Sequence, residues 1–196
     1  MKSCNVFITK LLSRILFAFM ALIVSVAVSS CSDNIDESNL YVFSGQSVTG
    51  FVKQQPELSK YLVLLKKARS GMGRGSTMDH MLESRGNYTC FIPTDDAIQE
   101  FVDSVENRRG FDVNNVSDSL AQVIVFNSII DNGDIEAYKS TDFQEGVLQQ
   151  KTMADRYIVI NFAANDSGKV ITRINTFSRI VSSDNKVENG QIHVVD

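Results

Sequence analysis

The spacing of apolar residues in this 196-residue chain changes near residue 145, and this change constrains the fold more than any other feature. Before it, apolar residues recur every three or four positions, as on the buried face of a helix. After it, short runs rich in β-branched residues alternate with turn residues, which is typical of strands. Helices followed by strands predict an α+β fold rather than an alternating parallel sheet. The predicted strands in this part are 156–162, 169–175, 177–182 and 191–195, and one earlier strand, 88–92, is predicted to end at Pro93.

Four residues mark the starts of predicted helices. Pro56 suits a first helical position, because its missing N–H costs nothing there, and Gly71 is expected to end that helix. Ser76, Thr94 and Ser117 each carry a side-chain oxygen that can cap a following helix. The expected buried face of the helix after Thr94 is Ala97, Ile98, Phe101, Val102 and Val105.

The helix after Ser117 is predicted to lie deep in the core, because it is apolar on nearly all sides. The prediction rests on Leu120, Val123, Ile124 and the mainly apolar run 126–130.

The N-terminus has the composition of a signal peptide. Lys10 and Arg14 precede an apolar stretch, 15–28, which suits a signal-peptide core and is shorter than the ~20 residues that span a bilayer. Its end, residues 28–31 (Val-Ser-Ser-Cys), resembles a bacterial lipobox, so cleavage is expected to leave Cys31 acylated and the protein anchored to a membrane. The alternative is an ordinary signal peptide with an incidental cysteine.

These features divide the chain into three expected parts. They are a lipoprotein signal peptide at 1–30, an acidic flexible tether at 31–50 and a folded domain at 51–196. The acidic run 32–37 resembles surface-export signals of Bacteroidetes lipoproteins. The layout therefore predicts an outer-membrane lipoprotein that is exposed at the cell surface.

The charge of the chain excludes one class of function. The net charge is −4, and residues 1–30 contain three Lys or Arg and no Asp or Glu, so the remainder carries −7. An acidic domain lacks the basic face that nucleic-acid binding requires. No nucleic-acid partner is therefore expected.

Few residues of the mature part offer catalytic or metal-binding chemistry. His80 is expected to face solvent, His193 to be a hydrogen-bonded structural residue and Cys90 to be a small buried hydrophobe. Asp95 and Asp96 point about 100° apart on one helix, so they are not expected to act together on a substrate. Both carboxylates are instead expected to stabilise the N-terminus of this helix, where the helix dipole is positive. The sequence therefore predicts no enzyme, no metal and no cofactor.

Two segments resemble the signatures of the fasciclin domain family. Residues 88–98 (YTCFIPTDDAI) resemble the first signature, and residues 189–196 (NGQIHVVD) resemble the second. The segments 143–148 and 171–175 resemble the middle strands of the family, and the helix at Pro56 resembles its opening helix. The resemblance implies a β-sandwich wedge packed with several α-helices. The structural signature residues would be Thr89, Pro93, Thr94, Asp95, Asn189, Gly190 and His193.

The resemblance also implies a function. It predicts a non-enzymatic cell-surface adhesion or interaction domain that binds an extracellular protein or glycan. The alternative is a structural accessory lipoprotein of an outer-membrane glycan-uptake complex. A loop that is longer than usual for the family is the candidate binding loop, since loops on rigid scaffolds often carry binding. Its residues are Gly71, Met72, Gly73, Arg74 and Gly75.

Two further departures from the family pattern limit what the resemblance implies. The family often has a Tyr-His pair that is implicated in adhesion to animal receptors, and Phe126-Asn127 stands there in this chain. Receptor adhesion by that route is therefore not expected. The sequence ends at Asp196, earlier than the family pattern, so we expect either a truncated last strand or a longer natural protein.

Overall fold

Helices precede most of the strands in this computed structural model, which describes residues 45–71, 73, 75–164 and 167–196. The predicted signal peptide, Cys31 and most of the predicted tether lie outside these residues. The α-helices are α1 (Val48–Gln54), α2 (Ser59–Lys67), α3 (Met78–Met81), α4 (Asp95–Val105) and α5 (Asp118–Ser128). The strands are β1 (Tyr88–Pro93), β2 (Ile129–Asp131), β3 (Gly146–Lys151), β4 (Tyr157–Ala164), β5 (Val170–Ile174), β6 (Ser178–Val187) and β7 (Gly190–Val195). Short 3-10 turns lie at Pro56–Leu58, Val113–Asn115 and Ser140–Asp142.

The strands form one mixed, seven-stranded sheet in the order β2-β1-β7-β6-β5-β4-β3. The neighbours β1 and β7 are parallel, with Cys90 opposite Ile192 and Phe91 opposite His193. The other strand pairs are antiparallel. The two predicted signature segments, which lie far apart in the sequence, are therefore hydrogen-bonded neighbours.

Alternate residues of β1 and β7 face two different hydrophobic cores, as the period of a strand requires. Cys90 and Ile192 pack with the helices in the larger core. Phe91 and Val195 face the smaller core, where the sheet closes against its own second half. The predicted α+β sandwich wedge packed with helices is therefore confirmed. The smaller core also contains Ile130, Phe143, Leu148, Ile158, Ile160 and Ile174.

The folded part begins earlier than residue 51, so the expected boundary between tether and domain is wrong. Ser47 caps α1, because its Oγ accepts a hydrogen bond of 2.9 Å from the Gly50 N–H. Val48, Thr49 and Val52 are buried in the domain. The polar sequence around this helix concealed it, since only one side of it contributes to the core.

The predicted boundaries of two helices are also wrong. Helix α2 ends at Lys67 rather than Gly71, because the chain turns into an extended conformation at Ala68. Helix α3 begins after Thr77 rather than after Ser76. The reason is that Ser76 accepts a backbone hydrogen bond of 3.0 Å from the Ser70 N–H, which closes the intervening loop.

The predicted buried faces of the last two helices are too wide. On α4, Ile98 and Val102 are buried, whereas Phe101 and Val105 are about half exposed. Helix α5 lies at the surface with one buried side, and its Val123 is 54% exposed. The apolar run that suggested a core helix continues past the helix end, where Ile129 and Ile130 pair with β1 as part of β2.

Strand β6 is longer than the predicted 177–182. It continues to Val187 through irregular pairing with β7, and its polar residues 182–185 concealed this continuation in the sequence.

Among the described helices, none is both long and apolar enough to cross a bilayer.

Candidate functional site

Asn189 of the second signature joins three elements of the fold. Its Oδ1 accepts a hydrogen bond of 2.9 Å from the Val48 N–H at the start of α1. Its Nδ2 donates to the carbonyl oxygens of Leu82 at 2.9 Å and Ser84 at 2.8 Å, just after α3. The side chain is buried, and its bonds to Val48 and Leu82 satisfy backbone groups that are buried with it.

Gly190 lets β7 approach β1 closely. A Cβ atom at this position would lie 2.1 Å from the carbonyl oxygen of Tyr88, which is far inside contact distance. The turn before β7 lies at Glu188 and Asn189, and Gly190 already belongs to the strand.

Thr89 connects β1 to the segment after β2. Its hydroxyl donates to Asn132 Oδ1 at 2.8 Å and accepts from the Tyr138 N–H at 2.9 Å. The side chain is fully buried, as is usual for a polar group whose hydrogen bonds are satisfied within the protein.

His193 is buried between two aromatic rings. Its ring lies 5.4 Å from that of Phe91 and 5.0 Å from that of Phe143, measured between centroids. Its Nε2 donates to the Tyr138 carbonyl oxygen at 2.9 Å, and its Nδ1 accepts from the Asp184 N–H at 3.4 Å. Burial lowers the pKa of His193, so the neutral imidazole is the form that the fold holds.

The signature residues at the start of α4 connect this helix to its neighbours. Thr94 caps α4 by accepting from the Ala97 N–H at 3.3 Å. Asp95 faces another helix instead of its own, because its carboxylate accepts from the Lys60 N–H at 2.7 Å and from the Ser59 hydroxyl at 2.5 Å. It therefore satisfies the first turn of α2. Pro93 ends β1 and lines a surface groove.

The remaining candidates for chemistry lie apart from one another. Cys90 is fully buried, and burial raises the pKa of its thiol, so it is not a reactive thiolate. The His80 side chain is 69% exposed on α3. Within the described ranges, no group of three or more His, Cys, Asp or Glu residues is arranged to hold a metal ion.

The glycine-rich loop is only partly described. Gly71, Gly73 and Gly75 are exposed, and they lie between strand-like arms that pair through a bridge from Arg69 to Thr77. Met72 and Arg74 lie outside the described residues. The role of this loop as a binding loop stays a prediction.

A groove of about 410 Å³ lies between α4, α5 and the turn that joins β5 to β6. We call it the α4–α5 groove. Phe101 and Val123 line it and are 47% and 54% exposed, and Phe177 in the adjoining turn is 85% exposed. Asn127, which stands at the family's Tyr-His position, also lines it. Its other lining residues are Pro93, Ala97, Ile98, Ile124, Asn175, Ser178 and Asp196.

An acidic cleft adjoins the α4–α5 groove along the other side of α4. Ala97 and Asp196 line both depressions, so the two are continuous. The cleft has a volume of about 620 Å³ and is lined by Glu57, Thr94, Asp95, Asp96, Ala97, Glu100 and Asp196.

Sequence reasoning missed this surface because it assigned Phe101 to the core. The sequence does hold one indication of this surface. The apolar face of α4 is so wide that packing against a single neighbouring element would leave part of it exposed. A phenylalanine in the turn at 177, outside any buried pattern, points to the same surface.

The fold and the surface define the class of the protein. It is a helix-packed β-sandwich whose signature residues join structural elements and which carries an open, mainly apolar groove between α4 and α5. The Fasciclin domain family matches residues 57–196, and the chain belongs to this family. Fasciclin domains are typically non-enzymatic adhesion or interaction domains of extracellular and cell-surface proteins.

Comparison with solved structures agrees with the fold. The chain is similar to a FAS1 domain pair from the insect cell adhesion molecule fasciclin I, with a TM-score of 0.55 and 15% sequence identity. The match covers 77% of this chain and 49% of that one, so the chain spans about half the length of that domain pair. Comparison with curated proteins found no significant match.

Proposed function

We propose that this protein is a non-enzymatic adhesion module of the cell envelope, anchored through an acylated Cys31, that binds an extracellular protein or glycan. The observation that carries the proposal is the α4–α5 groove. Phe101 and Val123 present apolar surface there on rigid helices, and about half of each side chain remains exposed. Exposed apolar patches of this kind are typical of interaction sites.

The remainder of the domain supports a scaffold role. The polar groups of the signature residues Asn189, Thr89 and His193 form hydrogen bonds within the domain. A rigid scaffold fixes the groove before a partner arrives, which lowers the entropy lost on binding. A tether ahead of Ser47 would then hold the domain away from the membrane.

The anchor is tested on the full chain expressed in a bacterium that acylates lipoproteins. We expect the wild type to partition into detergent and to carry acyl mass on its N-terminal cysteine, and Cys31→Ala to lose both. An intact mass equal to the unmodified polypeptide would contradict the anchor.

The binding function is tested on intact cells that display the full chain. We expect protease treatment to release the domain and displaying cells to adhere to extracellular matrix or host cell-surface material. Val123→Thr should reduce adhesion, because it puts a hydroxyl into the groove. Val147→Thr is the matched control, since Val147 is 61% exposed on β3, outside the groove.

Two outcomes would contradict the binding function. The first is a domain that protease does not reach on intact cells. The second is equal adhesion by cells with and without the protein.

A further inference from the structure

We propose that the α4–α5 groove and the adjoining acidic cleft together bind a cationic amphipathic segment of a partner protein, in which apolar side chains lie within a few residues of Lys or Arg. This inference rests on the proposed binding function and names the class of its partner. It is carried by charge complementarity beside an uncovered apolar groove.

The α4–α5 groove favours a partner that has apolar side chains. Six of the ten residues that line the groove are apolar, namely Pro93, Ala97, Ile98, Phe101, Val123 and Ile124. These six side chains favour aliphatic or aromatic groups over the hydroxyl groups of a glycan, because they offer no hydrogen bonds to replace those that a glycan would lose on leaving water. A protein segment is therefore the favoured occupant.

The acidic half of the surface supplies uncompensated charge. Glu57, Asp96 and Glu100 are exposed, and within the described part of the chain these three carboxylates have no ion-pair partner. Lys60 lies beside the cleft, but its Nζ donates to the backbone carbonyl of Asp95 at 3.2 Å. The cleft therefore presents a net negative charge to a ligand.

The other two carboxylates of the cleft are already engaged. Asp95 accepts hydrogen bonds from Ser59 and Lys60. Asp196 accepts from the Arg179 N–H at 3.0 Å and forms an ion pair with the Arg179 guanidinium. They shape the cleft, whereas Asp96 and Glu100 remain available to a cation.

Helix α4 sets the spacing between the two halves. Ala97 and Phe101 form one row along the helix on the groove side, and Asp96 and Glu100 form the adjacent row on the cleft side. Each row advances about 6 Å over four residues, and adjacent rows differ by about 100°. A partner with cations next to apolar side chains would therefore contact both rows at once.

The overall charge of the mature part favours the same partner. Without residues 1–30 the chain carries −7, which attracts a cationic segment at long range and repels anionic polymers and anionic lipid surfaces. An electrostatic contribution of this kind is screened by salt.

The test uses the full lipidated chain in detergent and a labelled synthetic peptide of alternating Leu and Lys, with binding followed by fluorescence anisotropy. We expect this peptide to bind, an alternating Leu and Glu peptide not to bind, and a Ser and Lys peptide to bind more weakly. Raising the ionic strength from about 0.05 to about 0.5 M should weaken binding several-fold, because screening shortens the reach of the carboxylates.

Charge-removing variants locate the contact. The double variant Asp96→Asn, Glu100→Gln should weaken binding of the Leu and Lys peptide about fivefold, as expected for two exposed ion pairs. The matched control is Asp134→Asn, Glu145→Gln, because these two exposed residues lie outside both the groove and the cleft. Thermal melts of both double variants check that the fold is intact.

The outcomes separate this inference from the function on which it rests. Equal binding of the Leu and Lys and the Leu and Glu peptides, or equal effects of the two double variants, would overturn the inference while adhesion of displaying cells persists. A stable dimer in sedimentation that Val123→Thr dissociates would also overturn it, because a second copy would then occupy the groove. If cells that display the wild-type protein adhered no better than cells without it, the proposed function itself would be overturned.

Discussion

The side chain of Asn189 accepts a hydrogen bond from the amide of Val48, which lies 141 positions earlier in the chain. The same side chain donates to two carbonyl groups that follow α3. A single buried amide therefore holds the first helix of the domain, the loop before β1 and the start of β7 in one arrangement. Local turn formation alone would not explain why this position needs asparagine.

Replacing Asn189 with alanine should destabilise the domain by about 3 kcal/mol, because the buried Val48 N–H would lose its partner and the Leu82 and Ser84 carbonyl groups would each lose a hydrogen bond. The free energy of unfolding in urea measures this loss. Asn114→Ala is the control, since Asn114 is exposed and bonds only to the nearby Asp112, and its effect should stay within about 0.5 kcal/mol. Equal losses in the two variants would contradict the role of Asn189.

Gly190→Ala should prevent β1 and β7 from pairing. The added Cβ would lie 2.1 Å from the Tyr88 carbonyl oxygen and within 3.0 Å of other Tyr88 backbone atoms, so a strand would have to move. We expect a loss of soluble, cooperatively folding protein. Gly168→Ala is the control, because the space around Gly168 is open and only its φ of 76° opposes a side chain, at about 1 kcal/mol. A stably folded Gly190→Ala protein would contradict this account.

Several helices and strands can be predicted from the sequence alone. Strand β1 and the capping of α4 by Thr94 follow from local patterns, which agree with the structure. The sequence also predicts burial of Cys90, because it lies in a mainly apolar run, 88–92, and the structure confirms it. These features depend on short stretches of chain, where propensity and period are informative.

The features that sequence reasoning missed depend on contacts between distant segments. Helix α1 is stabilised by a hydrogen bond to Asn189, and β2 forms because Ile129 and Ile130 pair with β1. Phe101 looks like a core residue on its own helix, and only the position of α5 leaves it in an open groove. Periodicity reports which side of an element is apolar and does not report whether anything covers it.

Asp95 and Asp96 should differ in their contributions to stability although they are adjacent. Asp95→Ala removes two hydrogen bonds to the first turn of α2 and should cost about 1–2 kcal/mol, as the loss of a helix cap does. Asp96→Ala removes an exposed carboxylate and should cost under about 0.5 kcal/mol. Thermal denaturation compares the two variants directly, and a larger loss from Asp96→Ala would contradict the assignment of Asp95 to α2.

The stability of the domain should fall as the pH drops below 6.5, because His193 is held neutral. Burial lowers its pKa in the folded state, so the unfolded chain binds a proton that the folded chain resists. The contribution is fully present above the ordinary pKa of about 6.5 and is lost as the pH falls from there through the lowered folded-state value. The carboxylate nearest the ring, Asp184, favours the protonated form and reduces the effect without reversing it.

Unfolding free energies at pH 7.5, 6.5, 5.5 and 4.5 would measure this slope. His193→Gln is expected to be less stable at every pH, since it loses the packing against Phe91 and Phe143, and to lose most of the slope between pH 6.5 and the folded-state pKa. His80→Gln is the matched control, because it replaces the other histidine of the domain, whose side chain is exposed on α3. If the His193→Gln protein retained the wild-type slope, the pH dependence would have to come from carboxylates, and the buried neutral imidazole would not be its cause.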